Sequence, residues 1–196
     1  ALQKVNIGMF VIDEAHCISK WGPKFRPDYE ALSNLKKHFP DVTFSAFTAT
    51  ADKKTRNDIA SKLSNKEFSI IVKGFDRPNL SLQVEQKVDI KNNLLNLLET
   101  RSGQCGIIYC LSKKETDATA EFLKDKGFNA ISYHAGKTAQ QRGIAEDRFM
   151  TEEAVLMVAT IAFGMGINKP DVRYVIHASL PSNMEYFYQE IGRAGR

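Results

Sequence analysis

The sequence predicts an α/β protein built on parallel sheet. Three observations lead there. Apolar runs of strand length recur through the chain, most are followed by a stretch with helical spacing, and the first is continuous rather than alternating. Continuous runs suit strands covered on both faces, as in parallel sheets. Repeated strand–helix alternation points to the same architecture.

Taken in order, Ile7–Ile12 is the first strand and ends at Asp13 and Glu14. Leu32, Leu35 and Phe39 are spaced for one helix over Tyr29–Phe39, stopped by Pro40. Thr43–Phe47 reads as a strand, Lys53–Leu63 as a helix with Ile59 and Leu63 on one face, and Phe68–Val72 as a third strand. Gly74-Phe75-Asp76-Arg77-Pro78-Asn79 collects turn formers and is expected to link two domains, 1–73 and 80–196. Beyond it, strands are expected at Leu80–Val84, Gly106–Cys110, Ala130–Tyr133, Val155–Ala159 and Val172–His177. Helices are expected at Ile90–Thr100, Lys113–Lys126, Ala139–Phe149 and Asn183–Ile191. Ser112 and Glu115 have capping-box spacing at the start of one of these helices, and Gly127 closes it.

The 196 residues carry 27 Lys+Arg against 23 Asp+Glu, a net charge of +4 that permits a nucleic-acid partner without arguing for one. A 43% hydrophobic content excludes a disordered or collagen-like chain. No apolar run is long enough to cross a bilayer and no signal peptide is visible, so an intracellular protein with no membrane partner is expected. The cysteines Cys17, Cys105 and Cys110 have no C-x-x-C spacing, which argues against a disulfide framework or a zinc site. The chain opens without Met and stops at Gly192-Arg193-Ala194-Gly195-Arg196, and is expected to be a piece of a longer one.

Asp13-Glu14-Ala15-His16 follows the first strand directly. Ligands of open parallel sheets bind at the carboxyl ends of strands. Two adjacent carboxylates there can divide the work of phosphoryl transfer, one holding Mg²⁺ and the other orienting an attacking water. A solvated acidic turn is the bland alternative. A phosphate loop, G-x-x-x-x-G-K-[ST], would complete such a site. Gly136-Lys137-Thr138 matches only its end, because Ile131 stands where the first glycine should and lies in an expected strand. Gly164-Met165-Gly166 lacks the third glycine of a dinucleotide fingerprint.

The segment after the carboxylates is more specific. Cys17-Ile18-Ser19-Lys20-Trp21-Gly22-Pro23-Lys24-Phe25-Arg26-Pro27-Asp28-Tyr29 resembles the aromatic-rich loop of the RecQ-family DNA helicases of superfamily 2. In the same order, D-E-A-H is similar to their motif II, Phe47-Thr48-Ala49-Thr50-Ala51 to motif III, and Phe75-Asp76-Arg77-Pro78-Asn79 to their interlobe segment. Tyr133-His134-Ala135-Gly136 is similar to their Y-H-A-G turn, Val158–Pro170 to motif V, and Gln189–Arg196 to motif VI. The resemblance implies two RecA-like parallel-sheet lobes of P-loop NTPase type, the first one partial. It places motif I before Ala1 and the family's zinc-binding and winged-helix regions after Arg196.

The resemblance also implies roles. Asp13 would bind Mg²⁺ and Glu14 would polarise the attacking water. Arg193 and Arg196, three apart, would face the nucleotide, Arg196 as arginine finger; a solvated basic end is their bland alternative. His16, Gln189, Gly164 and Asp171 would couple nucleotide state to movement. Trp21, Lys24, Phe25, Arg26, Thr48, Thr50, His134 and Thr160 would meet DNA, the aromatic ones by stacking on unpaired bases. Cys105 and Cys110 are expected in the core, and Cys17 in a loop without a partner.

The implied activity is ATP-dependent, 3′-to-5′ translocation on single-stranded DNA with unwinding of duplex junctions, with ATP and Mg²⁺ bound between the lobes. The sequence given is expected to be inactive alone and poorly soluble. The location would be cytoplasm or nucleoid in a bacterium and nucleus in a eukaryote. A superfamily 2 RNA helicase, or a non-catalytic nucleic-acid-binding homologue, are the alternatives.

Overall fold

In the computed structural model the first apolar run forms β1 (Met9–Ile12), which pairs in parallel with β2 (Thr43–Ala46), Met9 opposite Thr43 and Ile12 opposite Ala46. The structure describes residues 4–21, 27–63, 68–74, 76–164 and 167–195, without the side chains of residues 20, 21, 27 and 30. The described chain separates into two compact units, 1–75 and 76–196.

In the first unit a π-helix, Cys17–Trp21, follows the carboxylates. π-Helical turns are rare and concentrate at functional sites. The single helix expected over Tyr29–Phe39 is instead α1 (Pro27–Ala31), a 3₁₀ turn (Leu32–Asn34) and α2 (Leu35–His38). Ser33 and Asn34 sit at the break, and such residues compete with the helix for backbone hydrogen bonds. Helix α3 (Lys53–Leu63) brings Ile59 and Leu63 onto Ile12, Ala15 and Ile18 to form this unit's core. The Lys62 ammonium reaches across to the Ile18 carbonyl, 3.1 Å away, tying α3 to the π-helix.

The second unit holds a four-stranded, all-parallel sheet in the order β4-β5-β3-β6. Its elements are α4 (Ile90–Glu99), β3 (Cys105–Tyr109), α5 (Lys113–Asp125), β4 (Ala130–Tyr133), α6 (Ala139–Thr151), β5 (Leu156–Ala159), β6 (Val172–His177) and α7 (Met184–Ile191). β3 and β5 are central and buried along their whole length, as their continuous apolar sequences require. One face packs on α6 and the Phe163 segment through Ile107, Phe149, Met157 and Phe163, the other on α4 and α5 through Leu94, Leu98, Ile108, Leu123 and Val158. Gly106 is obligatory in β3: a Cβ there would run into the Tyr174 ring on β6.

The helix ends are chemically specified. Ser112 caps α5 by accepting from the Glu115 N–H, but the Glu115 carboxylate turns to the Leu111 N–H, so the reciprocal bond of a capping box is replaced. The full box occurs at α6, between Thr138 and Gln141. Asp89 caps α4, and Gly127 ends α5 in the left-handed region at φ +86°.

Two expected strands are absent. Residues 68–72 and 80–84 form no strand, with Ile71 85% and Val84 96% exposed. Apolar, β-branched sequence favours an extended chain, but a strand exists only where a neighbour completes its ladder, and none does among the described residues. Cys105 and Cys110 are core residues, and burial pushes both thiols up to about 11. Cys17, expected in a loop, is buried on the π-helix with its Sγ 3.7 Å from His16 Nε2.

Candidate functional site

The carboxylates stand at the end of β1, where the chain leaves the sheet. Asp13 is exposed and its Oδ1 accepts from the Glu14 N–H at 2.8 Å. Glu14 has φ +48°, in the left-handed region that L side chains seldom occupy. Such a conformation costs about 1–3 kcal/mol and persists where the surroundings over-determine it. Here the Cys17 N–H donates to the Glu14 carbonyl at 2.9 Å, and the Ala15 N–H donates to the Phe47 carbonyl at 2.9 Å.

Glu14 Oε2 is buried and accepts no hydrogen bond. His16 Nδ1 lies 3.3 Å from it, within ion-pair range but outside hydrogen-bond geometry, and makes its bond to Thr48 Oγ1 at 2.9 Å. Thr48 Oγ1 also accepts from the Thr50 N–H at 3.3 Å. The fold therefore joins the segment after β1 to the segment after β2: Glu14, His16, Thr48 and Thr50 are brought together within one unit.

Two oxygen-donor carboxylates suit a hard divalent cation, and an orphaned buried carboxylate oxygen is chemically incomplete in this arrangement. No group of three or more His, Cys, Asp or Glu among the described residues could cage a metal alone. Mg²⁺ is commonly held by one or two carboxylates together with phosphates and water.

The second constellation lies at the carboxyl ends of the four-stranded sheet. Tyr109 ends β3, His134 follows β4, Thr160 follows β5, and His177 ends β6. His134 is buried. Its Nδ1 accepts from the Gly136 N–H at 3.1 Å, and its Nε2 therefore donates to Asp117 Oδ2 at 2.9 Å. Burial raises the Asp117 carboxyl, but hydrogen bonds from His134, Ser132 and Lys137 outweigh it and hold the group at about 2. Thr160 Oγ1 accepts from the Ala162 N–H at 3.4 Å.

Arg193 reaches Gly164. A Cβ on Gly164 would lie 2.6 Å from Arg193 Nη2, so only glycine leaves the guanidinium where it is. Arg193 Nη1 donates to the Ile167 carbonyl at 3.4 Å, while its Nε is buried without a hydrogen-bond acceptor. Asp171 pairs with the buried Lys169 at 3.1 Å, and Lys169 also donates to the Glu152 carbonyl, which fastens the segment before β6 to the end of α6. Gln189 is half-buried on α7. The side chain of Trp21, and all of Lys24, Phe25, Arg26 and Arg196, lie outside the described residues.

Sequence reasoning passed over three residues that the fold places in this constellation. They are Tyr109, His177 and Glu190, with His177 Nε2 donating to Glu190 Oε2 at 2.7 Å and its ring stacked on Tyr109. Glu190 stood inside the arginine block, beside Gln189, and that was the one available signal.

Two family models match the chain. Residues 2–59 match the DEAD/DEAH box helicase family, and residues 88–196 match the helicase conserved C-terminal domain. The chain is 46% identical over 191 residues to a protein named ATP-dependent DNA helicase RecQ from Haemophilus influenzae, covering 97% of this chain and 31% of the relative. It is 45% identical over 195 residues to the RecQ-like DNA helicase BLM of Xenopus laevis, covering 97% and 14%. The chain thus spans less than a third of the length of these relatives. Among solved structures, S. cerevisiae Dbp5 bound to RNA and ADP BeF3 superposes with a TM-score of 0.76 at 21% identity, covering 100% of this chain and 53% of that one. The DEAD-box helicase Mss116 bound to single-stranded RNA gives 0.72 at 22%, covering 96% and 41%. These two establish the fold, RecA-like and α/β with parallel sheets. With the helicase conserved C-terminal domain matched over residues 88–196 and RecQ helicases 45–46% identical along 97% of its length, the chain belongs to the RecQ family of superfamily 2 helicases.

Proposed function

We propose that the full-length protein is an ATP-dependent DNA helicase that moves 3′ to 5′ on single-stranded DNA and unwinds duplex junctions. The observation that carries the reading is Glu14: a buried carboxylate oxygen that accepts no hydrogen bond, beside Asp13, in a chain 46% identical to an ATP-dependent DNA helicase. Residues 1–73 would be the later part of a first RecA-like lobe, 74–79 the connection, and 80–196 the second lobe.

Asp13 would hold Mg²⁺ with the nucleotide, and the cation would supply neutralisation of phosphate charge when bound. Glu14 would orient the attacking water and accept its proton. His16, bonded to Thr48, would pass the state of that site to the Thr48–Thr50 segment and to the π-helix that leads into the aromatic-rich loop. There Trp21, Lys24, Phe25 and Arg26 would meet unpaired DNA. Arg193 and Arg196 would bear on the γ-phosphate, with Gly164, Asp171 and Gln189 shaping their setting. Thr160 would meet the DNA backbone. His134, whose ring is engaged on both nitrogens, would act there by holding the Gly136 turn. Among the described residues, no helix is long and apolar enough to cross a membrane.

The test is strand displacement by the full-length protein with ATP and Mg²⁺. A DNA duplex with a 3′ single-stranded tail is expected to be unwound, and one with only a 5′ tail is not. Faster displacement of an RNA duplex would favour the RNA-helicase reading and overturn this one.

A further inference from the structure

Arg193 faces a hazard built into its own turn. Glu190 lies three residues before it, and the Arg193 N–H donates to the Glu190 carbonyl at 3.2 Å, so the chain makes one tight turn between them just past the end of α7. Side chains three apart on a helix are neighbours, and a carboxylate and a guanidinium at that spacing attract. An Arg193–Glu190 pair would cancel the charge that a phosphate needs.

No such pair forms. Glu190 Oε2 is taken instead by His177 Nε2 at 2.7 Å, and both side chains are nearly closed to water, at 7% and 13% exposure. The His177 ring is itself fixed, stacked on Tyr109 at 5.7 Å and against Phe187 at 5.6 Å between ring centres. Tyr109 is acted on by both charges. Its hydroxyl donates to the Phe163 carbonyl at 3.1 Å. Burial pushes that hydroxyl up to about 12, Arg193 draws it down, and Glu190 pushes it further up. Among the described residues, Arg193 is left with neutral partners, the Ile167 carbonyl and the Tyr109 hydroxyl, and its buried Nε has none.

We propose that His177 is a positioning residue of the nucleotide site: by holding Glu190 it keeps this carboxylate off Arg193 and leaves the guanidinium uncancelled for phosphate. The proposal rests on the reading of Arg193 as a phosphate-facing residue. It implies a specific pattern among variants. Losing His177 frees Glu190 to swing onto Arg193, and neutralising Glu190 removes the harm.

The experiment is steady-state ATPase of the full-length protein, with single-stranded DNA binding measured in parallel. His177→Leu is expected to lower kcat about 10- to 100-fold, part of the 10³–10⁵ an arginine finger can supply, with KM for ATP and DNA affinity unchanged. His177→Leu combined with Glu190→Gln is expected to recover most of the lost kcat. A damaged fold would not be repaired by a second substitution in the same core, so recovery separates positioning from structural loss. Unchanged kcat in His177→Leu, or no recovery in the double variant, overturns the proposal. Arg193→Ala in the same assay tests the underlying reading: if it leaves kcat intact, Arg193 does not face phosphate, whereas loss in Arg193→Ala without recovery in the double variant refutes only the role of His177.

Discussion

Glu14→Gln in the full-length protein will lower kcat for ATP hydrolysis by about 10²- to 10⁴-fold, the range that a positioned general base contributes. Nucleotide binding, followed with a fluorescent ATP analogue, will be retained. The amide has the shape of the carboxylate but cannot take a proton from water. The buried Oε2 has no hydrogen-bond partner to lose, so the exchange does not break an internal bond there. The left-handed backbone at this position, φ +48°, is equally strained for Glu and Gln. Thermal stability should therefore stay near that of the parent, which isolates the chemical step. A variant that turns over normally would remove Glu14 from catalysis and leave Asp13 as an isolated exposed carboxylate.

The second large effect is expected at Arg193. Arg193→Ala will reduce kcat by about 10³- to 10⁵-fold if the guanidinium acts as an arginine finger, with single-stranded DNA binding preserved. The same position can be perturbed without touching the arginine. Gly164→Ala would place a methyl 2.6 Å from Nη2, which the flexible guanidinium can escape only by moving. Because the moving group is the far end of a long side chain, Gly164→Ala should lose kcat while melting near the parent temperature. If Arg193→Ala is inert and Gly164→Ala also turns over normally, this constellation is structural, and the arginine function belongs to Arg196.

Much of the architecture was legible before any coordinates. β4 and β6 run over the residues their apolar patterns gave, and helix α3 starts and stops where its spacing said. These elements are specified locally, by period, caps and breakers. The runs at 68–72 and 80–84 were misread for a single reason. Their composition states a preference for extended chain, but pairing depends on a second strand far away in sequence. The helix over Tyr29–Phe39 is instead divided by the 3₁₀ turn at Leu32–Asn34, although its apolar spacing is helical.

The candidate site divides along the same line. The carboxylate pair at the end of an apolar strand and the arginine block could be read from residue type and order alone, because each is contiguous in the chain. What the sequence determined by itself was therefore the fold class, the family resemblance and the identity of the charged groups. Tertiary structure decided which of those charges are paired. The contact of His16 with Thr48 spans 32 residues and that of His177 with Glu190 spans 13, and neither follows from spacing. Parallel sheets bring strand ends together through crossover connections, so partners at the carboxyl edge are set by strand order and not by distance along the chain.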